Sequence, residues 1–187
     1  NEIMNVGFLS SDFKKHSVSF FLEYLFLNFD KKKIEVFAIS TLDVVKHDTM
    51  TATIQNIADH WYDVSDKSDI EIVSLIKSLN INILIDLNGL TAGNKINVIK
   101  NRCAPIQISW LGYNNSTGIK NIDYLIADKN LIKKDEEILY SEKILFLPKI
   151  WNSLSKPKDL PQINLLSKIS SQPFTYGSFN NFSKISE

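Results

Sequence analysis

The chain has 187 residues, 44% hydrophobic and 22% charged, which is enough for one well-buried domain or for one domain and part of another. Lys+Arg and Asp+Glu balance at 21 each, so no net field favours nucleic acid or an anionic membrane surface. No apolar run reaches the roughly 18–20 residues that span a bilayer, and the amino terminus lacks the basic-then-apolar layout of a signal peptide.

In chain order, Asn5 to Leu9 predicts a buried strand. Ser17 to Phe29 predicts a helix with Ser17 as N-cap and apolar residues on almost every face, hence buried on more than one side. Glu35 to Ile39 is a second strand, Asp48 to Asp59 a polar helix and Trp61 to Val64 a short strand. Asp69 to Leu79 is an amphipathic helix, with Ile72, Leu75, Ile76 and Leu79 at helical spacing. Ile81 to Leu87 is a continuous apolar run, the pattern of a strand covered on both faces in a parallel sheet. Lys95 to Asn101 is a short helix, and Ile106 to Leu111, Tyr124 to Ala127 and Lys143 to Leu147 are further strands. Strands alternating with helices predict an α/β fold with a mainly parallel sheet and flanking helices. After Pro148 the pattern changes: Ser155 to Pro161 reads as a linker, and Phe174 to Phe179 as one new strand. Because the chain starts at Asn1 rather than Met and stops soon after that strand, it reads as a piece of a longer protein.

His16 follows the first strand through a short loop with Ser10, Ser11 and Asp12. Ligands of α/β proteins bind at the carboxyl ends of strands, so His16 is either a general base or ligand contact there, or a helix-capping histidine. Asp12 either orients that imidazole or ends a turn. His60 stands at a helix-to-strand junction, and His47 lies in a polar segment and reads as solvated. Three scattered histidines and one cysteine give no metal signature. The lone Cys103 cannot form an internal disulfide, which fits a reducing, cytoplasmic compartment, and before Ala104-Pro105 it reads as a small buried residue. Asp86-Leu87-Asn88-Gly89 closes the strongest strand, either as a site wall or as a plain turn. The strand Ile106 to Leu111 runs into Gly112-Tyr113-Asn114-Asn115-Ser116-Thr117-Gly118, a loop able to offer N–H groups to an anion or a sugar. Lys184, just past the last strand, suits a phosphate or lies exposed. Dinucleotide and P-loop glycine patterns are missing from the sequence.

Taken in order, Val6-Gly7-Phe8-Leu9-Ser10-Ser11-Asp12-Phe13 with His16, Leu87-Asn88-Gly89, Ala104-Pro105-Ile106-Gln107 with Trp110-Leu111-Gly112-Tyr113, Tyr140-Ser141-Glu142-Lys143, and Phe179-Asn180-Asn181 with Lys184 resemble the catalytic region of the O-linked N-acetylglucosamine transferase and SPINDLY family of protein glycosyltransferases. The resemblance implies a GT-B architecture, two Rossmann-like lobes across a cleft behind upstream tetratricopeptide repeats. Residues 1–154 would be the amino-terminal lobe, 155–172 a linker and 173–187 the start of the second lobe. It implies inverting transfer of N-acetylglucosamine or fucose from UDP-N-acetylglucosamine or GDP-fucose to Ser or Thr hydroxyls of a protein or peptide, with no cofactor and no metal.

By position, the resemblance matches His16 to the histidine at the head of the active site and His60 to a cleft histidine near the donor. Leu111 and Gly112 match the acceptor-side loop, Lys184 the lysine on the donor diphosphate, and Asn181 stands where the family commonly has glutamine. The Asn114–Gly118 turn departs from the Pro-Gly-Thr-Ser-Gly type of animal relatives. Two other functions fit the same chain: a GT-B-type nucleotide-sugar epimerase, and a non-catalytic protein-binding lobe.

Overall fold

A computed structural model describes residues 3–154, Gln162 and residues 176–178. The chain divides into two units, Asn1–Ser155 and Lys156–Glu187. In the second, Tyr176, Gly177 and Ser178 carry no regular secondary structure, and Asn181 and Lys184 lie outside the described residues.

The first unit alternates strand and helix: β1 Met4–Ser10, α1 Ser17–Asn28, β2 Ile34–Ser40, α2 Thr49–Ile57, β3 His60–Asp63, α3 Asp69–Ser78, β4 Ile83–Asp86, α4 Ile96–Ile99, β5 Ile106–Ser109, β6 Tyr124–Ala127 and β7 Lys143–Phe146. The strands form one seven-stranded sheet in the order β3-β2-β1-β4-β5-β6-β7, and every pairing is parallel. The sheet is therefore wholly parallel rather than mainly so, and the fold is α/β and Rossmann-like.

Alternate residues of the central strands feed two cores, one on each face, and Leu125 and Ala127 of β6 form a smaller third cluster with Ile132. Val6, Phe8, Val36, Ala38, Ile85 and Ile108 pack beneath α1 and α2, around Leu22, Phe26 and Ile54. Leu9, Phe37, Ile39 and Leu84 pack beneath α3 and α4, around Ile72, Ile76, Val98 and Ile99. Coverage on both faces explains why the central strands read as apolar runs without alternation. Gly7 sits where a β-carbon would come 3.1 Å from Ile81 Cγ2, so the second core closes tightly on β1.

The helices begin where their first residues supply acceptors for free N–H groups. Asp48 and Thr51 make a capping box at α2, and Ser68 and Glu71 another at α3. At α1 the cap is His16 rather than the expected Ser17: its backbone is extended and its ring accepts from the Val18 amide. Nor is α1 buried all round. Val18, Leu22 and Phe26 face the sheet, while Phe20, Tyr24 and Leu27 are 43%, 46% and 60% exposed. A helix in the outer layer of a doubly covered sheet has one inner face, whatever residues occupy the other.

Candidate functional site at the carboxyl edge of the sheet

The connections from β1 leave in opposite directions on either side, β2 following outward and β4 lying beside it, so the strand order reverses between β1 and β4. In open parallel sheets that reversal opens a crevice beyond the carboxyl ends of the strands. The segments there are the β1–α1 loop with His16, the β4–α4 loop with Asn88 and Gly89, and the segment after β5 with Leu111 and Gly112.

Asn88 fastens the first loop to the second. It is 2% exposed. Its Oδ1 accepts from the Ser11 amide at 2.9 Å, and its Nδ2 donates to Ser11 Oγ and to Asp12 Oδ2, each at 2.9 Å. The same β1–α1 loop is held from α2: the Lys15 amide donates to Asp48 Oδ2 at 2.7 Å, and Thr51 Oγ donates to the Phe13 carbonyl at 2.7 Å. The hydrogen bond from Lys15, with those from Thr51 and Met50, holds the Asp48 carboxyl below its ordinary pKa in spite of desolvation. Ser19 Oγ donates to the Asp12 carbonyl at 2.7 Å. His16 thus sits on a loop tied down at both ends. Its Nδ1 lies 3.4 Å from the Val18 amide and 3.9 Å from Asp12 Oδ2.

Asp86, the last residue of β4, is 3% exposed. Its carboxylate accepts from the Asn88 amide at 3.2 Å and from the Gly89 amide at 3.0 Å, which curls the chain into the turn. Burial pushes its pKa from 3.8 up to about 6, and those two amides only partly offset it. Gly89 turns at φ +55, where a β-carbon would lie 2.5 Å from Tyr113 Cβ. Glycine is required twice over at this point, by the backbone angle and by the neighbour.

The β5 end is tighter still. Leu111 has φ +79, and the Gly112 amide donates to the Trp110 carbonyl at 3.1 Å, which makes Leu111 the centre of a positive-φ γ-turn. This conformation costs a residue with a side chain on the order of 1–3 kcal/mol and persists only where its surroundings enforce it. Three contacts do so. Trp110 Nε1 donates to the Trp151 carbonyl at 2.7 Å, the Leu111 side chain is buried, and Gly112 rests on β4 so closely that a β-carbon would fall 1.9 Å from the Leu87 carbonyl oxygen. The turn also explains why β5 ends at Ser109 and not at Leu111.

Beyond it, Glu142 anchors the Asn114–Gly118 segment. It is 3% exposed and accepts from Ser116 Oγ at 2.9 Å, from the Thr117 amide at 2.8 Å, from Ser141 Oγ at 3.0 Å and from Thr117 Oγ. Burial acts to raise its pKa, but the Thr117 and Ser116 hydrogen bonds outweigh it and leave the carboxyl below 4.5. Asn88, Asp86, Asp48 and Glu142 carry this arrangement, yet sequence reasoning gave none of them a role as a fastener. The one available signal was the acidic or amide residue directly after an apolar strand, at Asp86 and Asn88.

The structure brings His16, Leu111 and Gly112 to the same edge. It does not bring His60 there. His60 opens edge strand β3 and pairs in register with Phe37, three positions before the carboxyl end of β2. Its ring stacks on Phe37 with centroids 4.2 Å apart, and Nε2 lies 3.0 Å from Glu35 Oε1. His47 is not simply solvated: it packs edge-on to Trp61, and its buried Nε2 is 3.5 Å from Asp63 Oδ2 without forming a hydrogen bond. Cys103 is buried and its thiol pKa is raised by desolvation, in keeping with a structural role. Among the described residues no helix is long and apolar enough to cross a membrane, and no three His, Cys, Asp or Glu side chains are grouped to hold a metal ion. An open indentation on the opposite, amino edge is lined by Ile3, Met4, Asn5, Asn80 and Asn82, which include no titratable side chain.

Comparison with known proteins bears on this edge. The model of glycosyl transferase family 41 matches residues 1–160. The chain is 32% identical over 186 residues to an Arabidopsis thaliana protein named probable UDP-N-acetylglucosamine--peptide N-acetylglucosaminyltransferase SPINDLY, covering 97% of this chain and 20% of that one. It is 34% identical over 145 residues to the Arabidopsis thaliana relative SEC, covering 78% and 15%. A solved structure of a mutant Thermobaculum terrenum O-GlcNAc transferase superposes with a TM-score of 0.82 at 29% identity, covering 86% of this chain and 31% of that chain. The chain thus spans about a fifth of the length of its SPINDLY relative. With a family model matching most of its length, on a Rossmann-like sheet shared with a solved O-GlcNAc transferase, the chain belongs to glycosyl transferase family 41.

Proposed function

We propose that this chain is the amino-terminal lobe of a GT-B protein O-glycosyltransferase. The observation that carries the reading is that the His16 loop and the Leu111–Gly112 turn are both seated on the segment Leu87–Gly89 that follows β4, beside the sheet's reversal point, in a family 41 chain. In the transfer, a Ser or Thr hydroxyl of a protein or peptide attacks the anomeric carbon of a nucleotide sugar from the face opposite the leaving group, so the configuration inverts. The new C–O bond forms as the bond to the nucleoside diphosphate breaks, the diphosphate leaves with the electron pair, and the hydroxyl's proton passes to an oxygen of the departing diphosphate or to water.

In this reading His16 contacts the reacting oxygens, the Leu111–Gly112 turn borders the acceptor, and Lys184 and Asn181 would serve the donor, the lysine's ammonium stabilising the growing charge of the diphosphate without a metal. Residues 155–172 would link to a second lobe beginning at 173–187, with tetratricopeptide repeats upstream and the cytoplasm as the compartment. The donor is UDP-N-acetylglucosamine, named for the relatives, or GDP-fucose. The family supports transfer over the epimerase and non-catalytic readings.

The test uses the full-length protein, both nucleotide sugars and a peptide acceptor library, read by mass spectrometry. His16→Ala and Lys184→Ala should each lower transfer at least about 100-fold, the scale of a lost proton-handling or charge-stabilising group. Near-normal turnover in both refutes the assignment. Residues 1–187 alone should transfer nothing, and measurable transfer by them would place the whole donor site within this chain.

A further inference from the structure

The ring of His16 is held by one nitrogen only. Nδ1 accepts from the Val18 amide at 3.4 Å as the cap of α1, and its backbone has the extended angles of a capping residue, φ −141 and ψ 152. An imidazole nitrogen that accepts carries no hydrogen, so the neutral ring keeps its hydrogen on Nε2.

Asp12 is the group that could reverse this, by drawing a hydrogen onto Nδ1 as carboxylates commonly do for histidine. Its Oδ2 is 3.9 Å from Nδ1, outside hydrogen-bond range, and already receives Asn88 Nδ2 at 2.9 Å. Asn88 is in turn fixed by Ser11, so Asp12 is not free to swing onto the ring without breaking the fastening between the two loops. The His16 side chain is 42% exposed, and among the described residues nothing hydrogen-bonds to Nε2.

We propose that His16 meets the cleft as a hydrogen-bond donor, through Nε2–H to a substrate oxygen, with its Nδ1 lone pair committed to capping α1. Resting on the transferase reading for its substrate, this assigns His16 a donor's role and not a base's. To take a proton at Nε2, the ring would first have to move its hydrogen to Nδ1 and give up the cap. Asn88 is then a positioning residue, since by engaging Asp12 it leaves Nδ1 to the helix.

The tautomer is read directly on the 187-residue chain, so it stands or falls apart from any transfer assay. Histidine is labelled with 15N and long-range proton–nitrogen correlations are recorded near pH 8.5, about two units above the ordinary imidazole pKa. The His16 signals are identified by their loss in His16→Gln. The expected pattern is a hydrogen-free Nδ1 and a protonated Nε2, unchanged in Asp12→Asn. A His16 protonated at Nδ1, or one that reaches the Nε2–H form only when Asp12 is neutralised, overturns the proposal. In the full-length enzyme, His16→Gln places an amide N–H near the Nε2 position but cannot accept a proton. It should retain at least about 10-fold more transfer than His16→Ala, and equal loss in the two variants, the signature of a missing base, would also overturn it.

Discussion

Asp86→Asn isolates what a buried carboxylate does to this fold. In the folded chain its pKa is pushed from 3.8 up to about 6, because burial outweighs the Asn88 and Gly89 amides that favour the anion. A difference of about 2 units at about 1.36 kcal/mol each is about 3 kcal/mol. The sign follows from linkage. Between pH 3.8 and about 6 the folded state holds a proton that the unfolded state has released, so stability falls as pH rises through that window and the full penalty is present at neutral pH. Asparagine has no charge to desolvate, but its single oxygen can serve only one of the two amides well, at a cost of about 1–2 kcal/mol. The variant should therefore be less stable than the parent near pH 4 and more stable by about 1–2 kcal/mol at pH 7. The advantage of the variant should grow by about 3 kcal/mol across the window. Urea denaturation followed by tryptophan fluorescence at half-unit pH steps measures it, and taking the difference between the two proteins cancels every other titrating group. Two stability curves that run parallel from pH 4 to pH 7 would refute the argument.

Glu142→Ala strands the Thr117 amide and the Ser116 and Thr117 hydroxyls, and should cost about 2–4 kcal/mol, with amide exchange at Thr117 rising sharply. The Glu142 pKa is lowered on folding, so its contribution is present above pH 4.5 and lost as pH falls through the folded value; the gap between parent and Glu142→Ala should narrow on acidification, as chemical denaturation would show. Gly112→Ala forces a β-carbon to within 1.9 Å of the Leu87 carbonyl, so β4 and β5 must part at their ends. A loss of at least about 3 kcal/mol, or insoluble expression, is expected, and a melting temperature within 2–3 °C of the parent would refute the contact.

The layered sheet was legible because β1, β2, β4 and β5 each carry an apolar run and helix-length segments separate them. What escaped was set by partners far along the chain. Ser17 is a reasonable N-cap by residue type, yet His16 takes the position because the loop is pinned at Lys15 by Asp48, 33 residues on. The outer face of α1 looked like core because Phe20, Tyr24 and Leu27 are apolar, and composition does not say which side meets the sheet. His47 looked solvated among acidic neighbours, but Trp61 closes over it from β3. Leu111 could not announce a positive φ, since leucine ordinarily avoids that region. The His16 loop, the Asn88–Gly89 turn and the Leu111–Gly112 turn stand together at the carboxyl edge while His60 does not, and what fastens the three emerges only in three dimensions.

The way Asn88, Gly89 and Gly112 interlock has a consequence for anyone who would re-engineer this edge. The β1 loop is hydrogen-bonded to the β4 loop as well as to α2, and the β4 loop fits against Tyr113 and Gly112 from the β5 segment. Each segment has local hydrogen bonds of its own, but its fit at this edge depends on its neighbours. Grafting any one of them from a relative should fail where grafting all three succeeds, and the effects of single exchanges should not add. The heritable unit at this edge is the set of segments, so its diversification should proceed by coordinated change.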